Sequence, residues 1–209
     1  MSWIKLFGFR QTWAYAIPKF LTDPIWWFYL YWLPGYFSDK FHLSLVGLGL
    51  PILIVYNASA IGSIYGGYLP ASFIRMGLSA ERSRVAAMTL CACLIVPVFL
   101  INYLNADNFG KWAAIGLLSL AAAAHQGWSA NLFTTASDMF PRSAVGSATG
   151  IGTMAGAVGG FLLAKLAGHL LQITGSYSIL FIIAASVYLV SLLINVLLAP
   201  GLKRVEITA

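Results

Sequence analysis

Long apolar runs separated by short polar stretches fill the chain from residue 13 onward. A helix that crosses the hydrocarbon core of a membrane needs about 20 mostly apolar residues, and each run approaches or exceeds that length. A β-barrel would instead show alternating segments of about ten residues. The pattern therefore predicts an all-α integral membrane protein with six transmembrane helices. The predicted spans are residues 13–37, 43–73, 85–101, 112–137, 144–171 and 177–198.

Composition supports this class and excludes several others. Of the 209 residues, 60% are hydrophobic and 9% are charged, whereas soluble domains carry about 25% charged residues. Cys91 and Cys93 are the only cysteines, and two cysteines in an apolar run do not make a disulfide scaffold. The net charge of +6 is spread in ones and twos, so a nucleic-acid partner is not expected.

The basic residues predict the orientation in the membrane, because lysine and arginine concentrate in cytoplasmic loops. A cytoplasmic N-terminus leaves Lys40 and Lys111 on the opposite side and puts eight basic residues in cytoplasmic segments. Those eight are Lys5, Arg10, Arg75, Arg82, Arg84, Arg142, Lys203 and Arg204. We therefore expect a cytoplasmic segment 1–12, a six-helix bundle 13–200 and a cytoplasmic tail 201–209, with the lipid bilayer as partner.

The first span contains an ion pair. Lys19 and Asp23 are four residues apart, so they share a helix face and can neutralise each other. One interpretation is a charged element at the cytoplasmic end of a transport pathway, since ionisable residues inside a span are often functional. The alternative is a structural pair near the helix entrance, with Lys19 extending to the lipid headgroups.

Aromatic residues follow in the same span, at 26–29 and 31–32. Tyr29 and Trp32 are candidate walls of a sugar-binding site, because an aromatic face can stack on a pyranose while a tyrosine hydroxyl bonds a ligand hydroxyl. Ordinary helix packing is the alternative for most of these positions.

The fourth span carries a polar cluster, which is the strongest candidate site. His125, Trp128 and Ser129 share one helix face, flanked by Gln126 and Asn131. We expect the cluster to line a cavity at mid-depth; the alternative is hydrogen bonding between helices.

Glycines dominate the fifth span, at 146, 150, 152, 156 and 160. Small residues four apart allow close helix packing, and Thr153 adds a hydroxyl among them. The third and sixth spans are almost purely aliphatic, which is typical of a lipid-facing scaffold.

Catalytic motifs are absent from the sequence. It contains no His-Glu-x-x-His, Gly-x-Ser-x-Gly or Walker motif. We therefore expect neither an enzyme nor a bound cofactor or metal.

The segment between the second and third spans resembles a loop of the major facilitator superfamily. Residues 66–69 (GGYL) are followed by 75–77 (RMG) and 81–84 (ERSR). This is similar to the Gly-x-x-x-(Asp)-Arg-x-Gly-Arg-Arg loop of that family, although the acidic residue is missing here. In the family this loop gates helix movement, which implies a gating role for Arg75, Arg82 and Arg84.

Further motifs resemble the hexuronate transporters of the anion:cation symporter family. Residues 10–13 (RQTW), 19–29 (KFLTDPIWWFY) and 32–34 (WLP) look like their seventh helix. Residues 125–133 (HQGWSANLF) with 138–141 (DMFP) look like the tenth, and 146–150 (GSATG) like the start of the eleventh.

The resemblance implies that the six spans are helices seven to twelve of a twelve-helix fold, in which each half contains 3+3 inverted repeats. It also implies proton symport of a sugar-acid anion, with an amino-terminal half that carries the acidic coupling residues and the arginine for the substrate carboxylate. The family's site positions correspond here to Tyr29, Trp32, Gln126, Trp128, Ser129, Asn131 and Thr153.

Several functions stay open at this point. The leading hypothesis is a hexuronate transporter half in the bacterial inner membrane. A self-associating six-helix transporter, a non-transporting membrane scaffold and a membrane enzyme are the alternatives, and the last is disfavoured by the missing catalytic constellation.

Overall fold

The computed structural model describes residues 3–205, and within that range the chain is helical, without a β-strand. The two shortest helical segments lie at the ends of this range. The elements are α1 (Trp3–Leu6), α2 (Arg10–Phe41), α3 (Gly49–Arg75), α4 (Ala80–Ile95) with its 3₁₀ continuation (Val96–Tyr103), α5 (Asn108–Met139), α6 (Arg142–Thr174), α7 (Ser178–Leu198) and a 3₁₀ turn (Pro200–Leu202).

Each apolar run corresponds to one long helical segment, α2 to α7, so the predicted helices are confirmed as helices. The third begins earlier than its apolar run, because the Ser79 hydroxyl accepts a hydrogen bond from the backbone N–H of Arg82 and caps α4. Arg82 and Arg84 therefore lie in the first turns of α4 and not in the loop before it, which corrects the sequence-based placement.

Four of the segments are long and apolar enough to cross a membrane: α3, α4 with its 3₁₀ continuation, α6 and α7. A multi-pass membrane protein follows from these helices. Helices α2 and α5, with 32 residues each, are also long enough, but they carry more polar and charged residues. Six of those residues are buried inside the bundle: Thr12, Lys19, Thr22, His125, Asn131 and Thr135.

Two helix pairs form the frame of the bundle, α3 against α5 and α2 against α6. At the first crossing a Cβ on Gly66 would lie 2.1 Å from the Cα of Gly127. At the second, a Cβ on Gly152 would lie 2.2 Å from the Tyr15 ring, and one on Gly156 would lie 2.4 Å from Asp23. The close packing predicted from the glycine spacing is therefore present, and it brings α6 against the ion-pair segment of α2.

Helix α7 packs on α2 and α4, and its inner face is not the plain aliphatic scaffold expected from its composition. Tyr188, Ser191 and Asn195 are fully buried, and the Asn195 amide donates to the backbone carbonyl of Ala14 at 2.8 Å. The helix therefore contributes polar side chains to the interior as well as apolar surface to its outer face.

Candidate functional site

His125 lies at the centre of the bundle and is 3% exposed. Its Nδ1 atom is hydrogen-bonded to the hydroxyl of Tyr188 on α7. Its ring stacks on Trp26 of α2, with ring centroids 5.5 Å apart and an interplanar angle of 3°. One histidine thus connects α2, α5 and α7.

Trp128 lies one turn further along α5 and is completely buried. Its indole N–H donates to the Thr22 hydroxyl at 3.2 Å, and Thr22 in turn donates to the carbonyl of Pro18 at 2.8 Å. The Tyr188 ring meets the indole edge to face at 5.5 Å. His125 and Trp128 are thus enclosed by side chains of neighbouring helices, where the sequence predicted a cavity wall.

Asn131 bridges the α3–α5 crossing. Its amide nitrogen lies 2.8 Å from the carbonyl oxygens of both Gly66 and Gly127, and its Oδ1 accepts from Arg84 at 3.3 Å. The Arg84 guanidinium also pairs with Asp138 at 3.0 Å. The result is a polar chain that joins α3, α4 and α5 and reaches the end of the bundle where α4 begins.

The predicted ion pair is present in the structure. The ammonium of Lys19, which is 2% exposed, lies 2.6 Å from Asp23 Oδ2. It also lies 3.8 Å from the centre of the Phe133 ring, so a cation–π contact covers its other side. Because Lys19 is enclosed in this way, its ammonium lies inside the bundle.

Tyr29 and Trp32 have different surroundings. Tyr29 is 1% exposed, and its hydroxyl has no hydrogen-bond partner within residues 3–205. Trp32 is half-buried and lines an apolar pocket of about 250 Å³ between α2 and α6, together with Trp27, Tyr31 and Gly160. The two side chains therefore do not face the same space.

The remaining predicted residues lie nearer the surface. Gln126 and Ser129 are half-buried on α5, and Thr153 is exposed on α6. Arg75 ends α3 and is exposed, as is Arg82. The structure therefore groups His125, Trp128 and Asn131 in the interior and leaves Gln126, Ser129 and Thr153 on accessible faces.

The sequence analysis missed the two residues whose side chains bond to His125 and Trp128. Thr22 and Tyr188 bond to Trp128 and His125. Thr22 stands between the predicted pair and carried no signal of its own. Tyr188 is a lone tyrosine in an aliphatic run, and only the expectation that a buried hydroxyl needs a partner could have marked it.

The arrangement is suited to noncovalent binding. No group of three or more histidine, cysteine, aspartate or glutamate residues that could hold a metal occurs in the described part of the chain. What the described residues offer is a buried cation, several hydroxyls and amides, and aromatic faces.

Curated relatives of the chain are transporters of sugar acids and related anions. It is 32% identical to the hexuronate transporter of Escherichia coli (strain K12) over 84% of this chain and 40% of that protein. It is 23% identical to the probable galactarate/D-glucarate transporter of the same organism over 97% and 45%. It is 26% identical to the chloroplastic ascorbate transporter of Arabidopsis thaliana over 99% and 37%.

The chain spans less than half the length of these relatives, and no family model matches it. The resemblance found in its motifs is nevertheless confirmed by these matches, and the transporter names agree with the expectation that it is not an enzyme.

Proposed function

We propose that this chain, a sequence relative of the sugar-acid transporters, supplies the carboxy-terminal half of a major facilitator transporter for sugar-acid anions. The observation that carries the proposal is the match to a hexuronate transporter along 84% of the chain and only 40% of the relative. A six-helix segment of this length corresponds to one half of a twelve-helix fold with 3+3 inverted repeats in each half. All six long helices then cross the bacterial inner membrane, with both termini in the cytoplasm.

The substrate class in this proposal is a hexuronate such as glucuronate or galacturonate. Its hydroxyl groups would meet the accessible polar side chains of α5 and α6, which are Gln126, Ser129 and Thr153. The interior group of His125, Trp128 and Asn131 bonds α5, which carries Gln126 and Ser129, to α7, α2 and α3. Hydrogen bonds and stacking, without covalent chemistry, are enough for such a carrier, and the site would lie near the middle of the membrane between the two halves.

Counterflow in proteoliposomes tests the substrate class. The chain would be assembled in proteoliposomes with an amino-terminal six-helix half. The vesicles would be loaded with unlabelled sugar acid or glucose and then diluted into labelled glucuronate. We expect glucuronate and galacturonate to drive labelled uptake and glucose to have no effect. Equal exchange of glucose and glucuronate, or no exchange of either sugar acid, would reject the proposed substrate class.

Proton symport is part of the same proposal, with protons as the coupling ion and no other cofactor. A glucuronate gradient directed into the vesicles should then alkalinise the external medium, and a proton ionophore should abolish uphill uptake. Uphill uptake that persists with the ionophore present would exclude proton coupling.

A second candidate is a self-associating six-helix transporter, in which two copies of this chain together supply twelve long helical segments. Its pathway would be formed by two copies, each contributing one buried lysine, Lys19. Uptake by the 209-residue chain without another half would favour this candidate over the first.

A further inference from the structure

One cation lies inside the bundle. Among the side chains described for residues 4–205, Lys19 is the one lysine or arginine that is buried. A charged group without water is costly unless anions or hydrogen-bond acceptors surround it. Its position in the interior therefore calls for a specific reason.

The hydrogen-bonding capacity of this ammonium is only partly used. A lysine ammonium has three N–H donors, and within the described residues Asp23 is its one ion-pair or hydrogen-bond acceptor. Its other neighbour is the face of Phe133, which attracts a cation but offers no oxygen lone pair. The ammonium thus retains capacity for a second oxygen ligand.

Both groups that cover the ammonium reach the surface. The Asp23 side chain is 19% exposed, and it lies against Gly156 of α6, where a Cβ would collide with it. Phe133 is 42% exposed. An anion that approaches the bundle here meets Asp23 and Phe133 first, with the ammonium directly beneath them.

We propose that Lys19 is a carboxylate-binding residue of the transporter, and that Asp23 is its counter-ion while the site is empty. The substrate carboxylate enters beside Phe133 and takes over the contact that Asp23 makes at rest. One carboxylate replaces another at the ammonium, so the buried positive charge is never left without a partner. This inference rests on the proposed function, because it adds a group of this chain to the amino-terminal arginine that the resemblance implies for the same carboxylate.

The double variant Lys19→Met/Asp23→Asn tests the proposal, since it removes both charges and leaves no unpaired ion in the interior. The assay is glucuronate counterflow by the assembled transporter, with uncharged glucuronamide as competitor. We expect the half-saturating glucuronate concentration to rise about 10- to 100-fold, as for loss of a hydrogen bond to a charged group. Inhibition by glucuronamide should change much less.

Lys165→Met is the matched control. Lys165 also lies in a helix that the proposal places across the membrane, with its ammonium 5.2 Å from the centre of the Phe161 ring, but its side chain is exposed on α6. We expect this variant to keep the wild-type half-saturating glucuronate concentration and the wild-type inhibition by glucuronamide.

The outcomes separate the two proposals. If the wild-type assembly shows counterflow and the double variant keeps the wild-type preference for glucuronate over glucuronamide, Lys19 is a structural ion-pair residue and the inference is wrong. An equal loss of apparent affinity for glucuronate and for glucuronamide would also show that the inference is wrong. Absence of counterflow in the wild-type assembly would reject the proposed function, and the assignment of Lys19 with it.

Discussion

Individual buried polar side chains form hydrogen bonds between the helices of this bundle. His125 bonds to Tyr188, Trp128 to Thr22, and Asn195 to the Ala14 carbonyl. A polar group inside an apolar bundle is expensive when it is unpaired. His125 and Trp128, which were predicted from sequence as ligand contacts, therefore hold helices in place in the structure.

Asn131 is the residue at which this structural role is easiest to measure. Asn131→Ala removes an amide that contacts two carbonyl oxygens and the Arg84 guanidinium. We expect the free energy of unfolding in mixed micelles to fall by about 1–3 kcal/mol.

Asn57→Ala is the control for that measurement. Asn57 is exposed, and its amide donates to the Leu53 carbonyl of its own helix, so the change should cost less than about 0.5 kcal/mol. Equal losses for the two variants would contradict the bridging role of Asn131.

The sequence predicted the candidate site only in part. It marked His125, Trp128 and Asn131, because polar residues in an apolar run are conspicuous. It could not show that these residues point into the bundle. Adjacent residues of a helix differ in direction by about 100°, so a small error in the choice of the inner face exchanges buried for accessible positions. Their partners Thr22 and Tyr188 lie 106 and 63 residues away in the chain, and nothing in the sequence pairs them.

At the level of the helices, apolar runs were sufficient to predict all six long segments. The start of α4 was missed, because residues 81–84 are polar and the signal is a serine cap. The pairing of α3 with α5 and of α2 with α6 was not predicted either. The glycines showed that close packing was needed, but the facing glycine or side chain comes from another part of the chain.

Gly66 gives a direct test of the α3–α5 pair. In Gly66→Ala the new methyl group would collide with the Gly127 backbone, so α3 and α5 must separate. We expect a loss of about 1–3 kcal/mol in the free energy of unfolding, as for other overpacked positions.

Gly67→Ala, at the next position in α3, is the control for Gly66→Ala. A Cβ there meets nothing within 4 Å, and alanine is the better helix former by about 1 kcal/mol. This variant should be as stable as the wild-type chain or slightly more stable. A Gly66 variant with the same stability as the Gly67 variant would contradict the close crossing.

For the whole molecule, the proposed orientation depends on the uneven distribution of basic residues. Leu45 follows α2 and is 87% exposed, and Met76 follows α3 and is 74% exposed. In a background with Cys91 and Cys93 replaced by alanine, Leu45→Cys should react with an impermeant maleimide in intact bacterial cells. Met76→Cys should react only after the membrane is opened.

The reverse labelling pattern would contradict the proposed orientation. Reaction of Met76→Cys in intact cells, with Leu45→Cys protected, would place the termini outside and contradict the orientation. Reaction of both positions in intact cells would show that α3 does not cross the membrane, although it is long and apolar enough to do so.

We propose that this chain is one half of a sugar-acid carrier, mainly because it covers only 40% of the hexuronate transporter that it matches. The most direct test is glucuronate counterflow by the 209-residue chain alone and by the same chain assembled with an amino-terminal half. We predict exchange only in the assembled form. Exchange by the chain alone, or none by the assembled protein, would contradict the account.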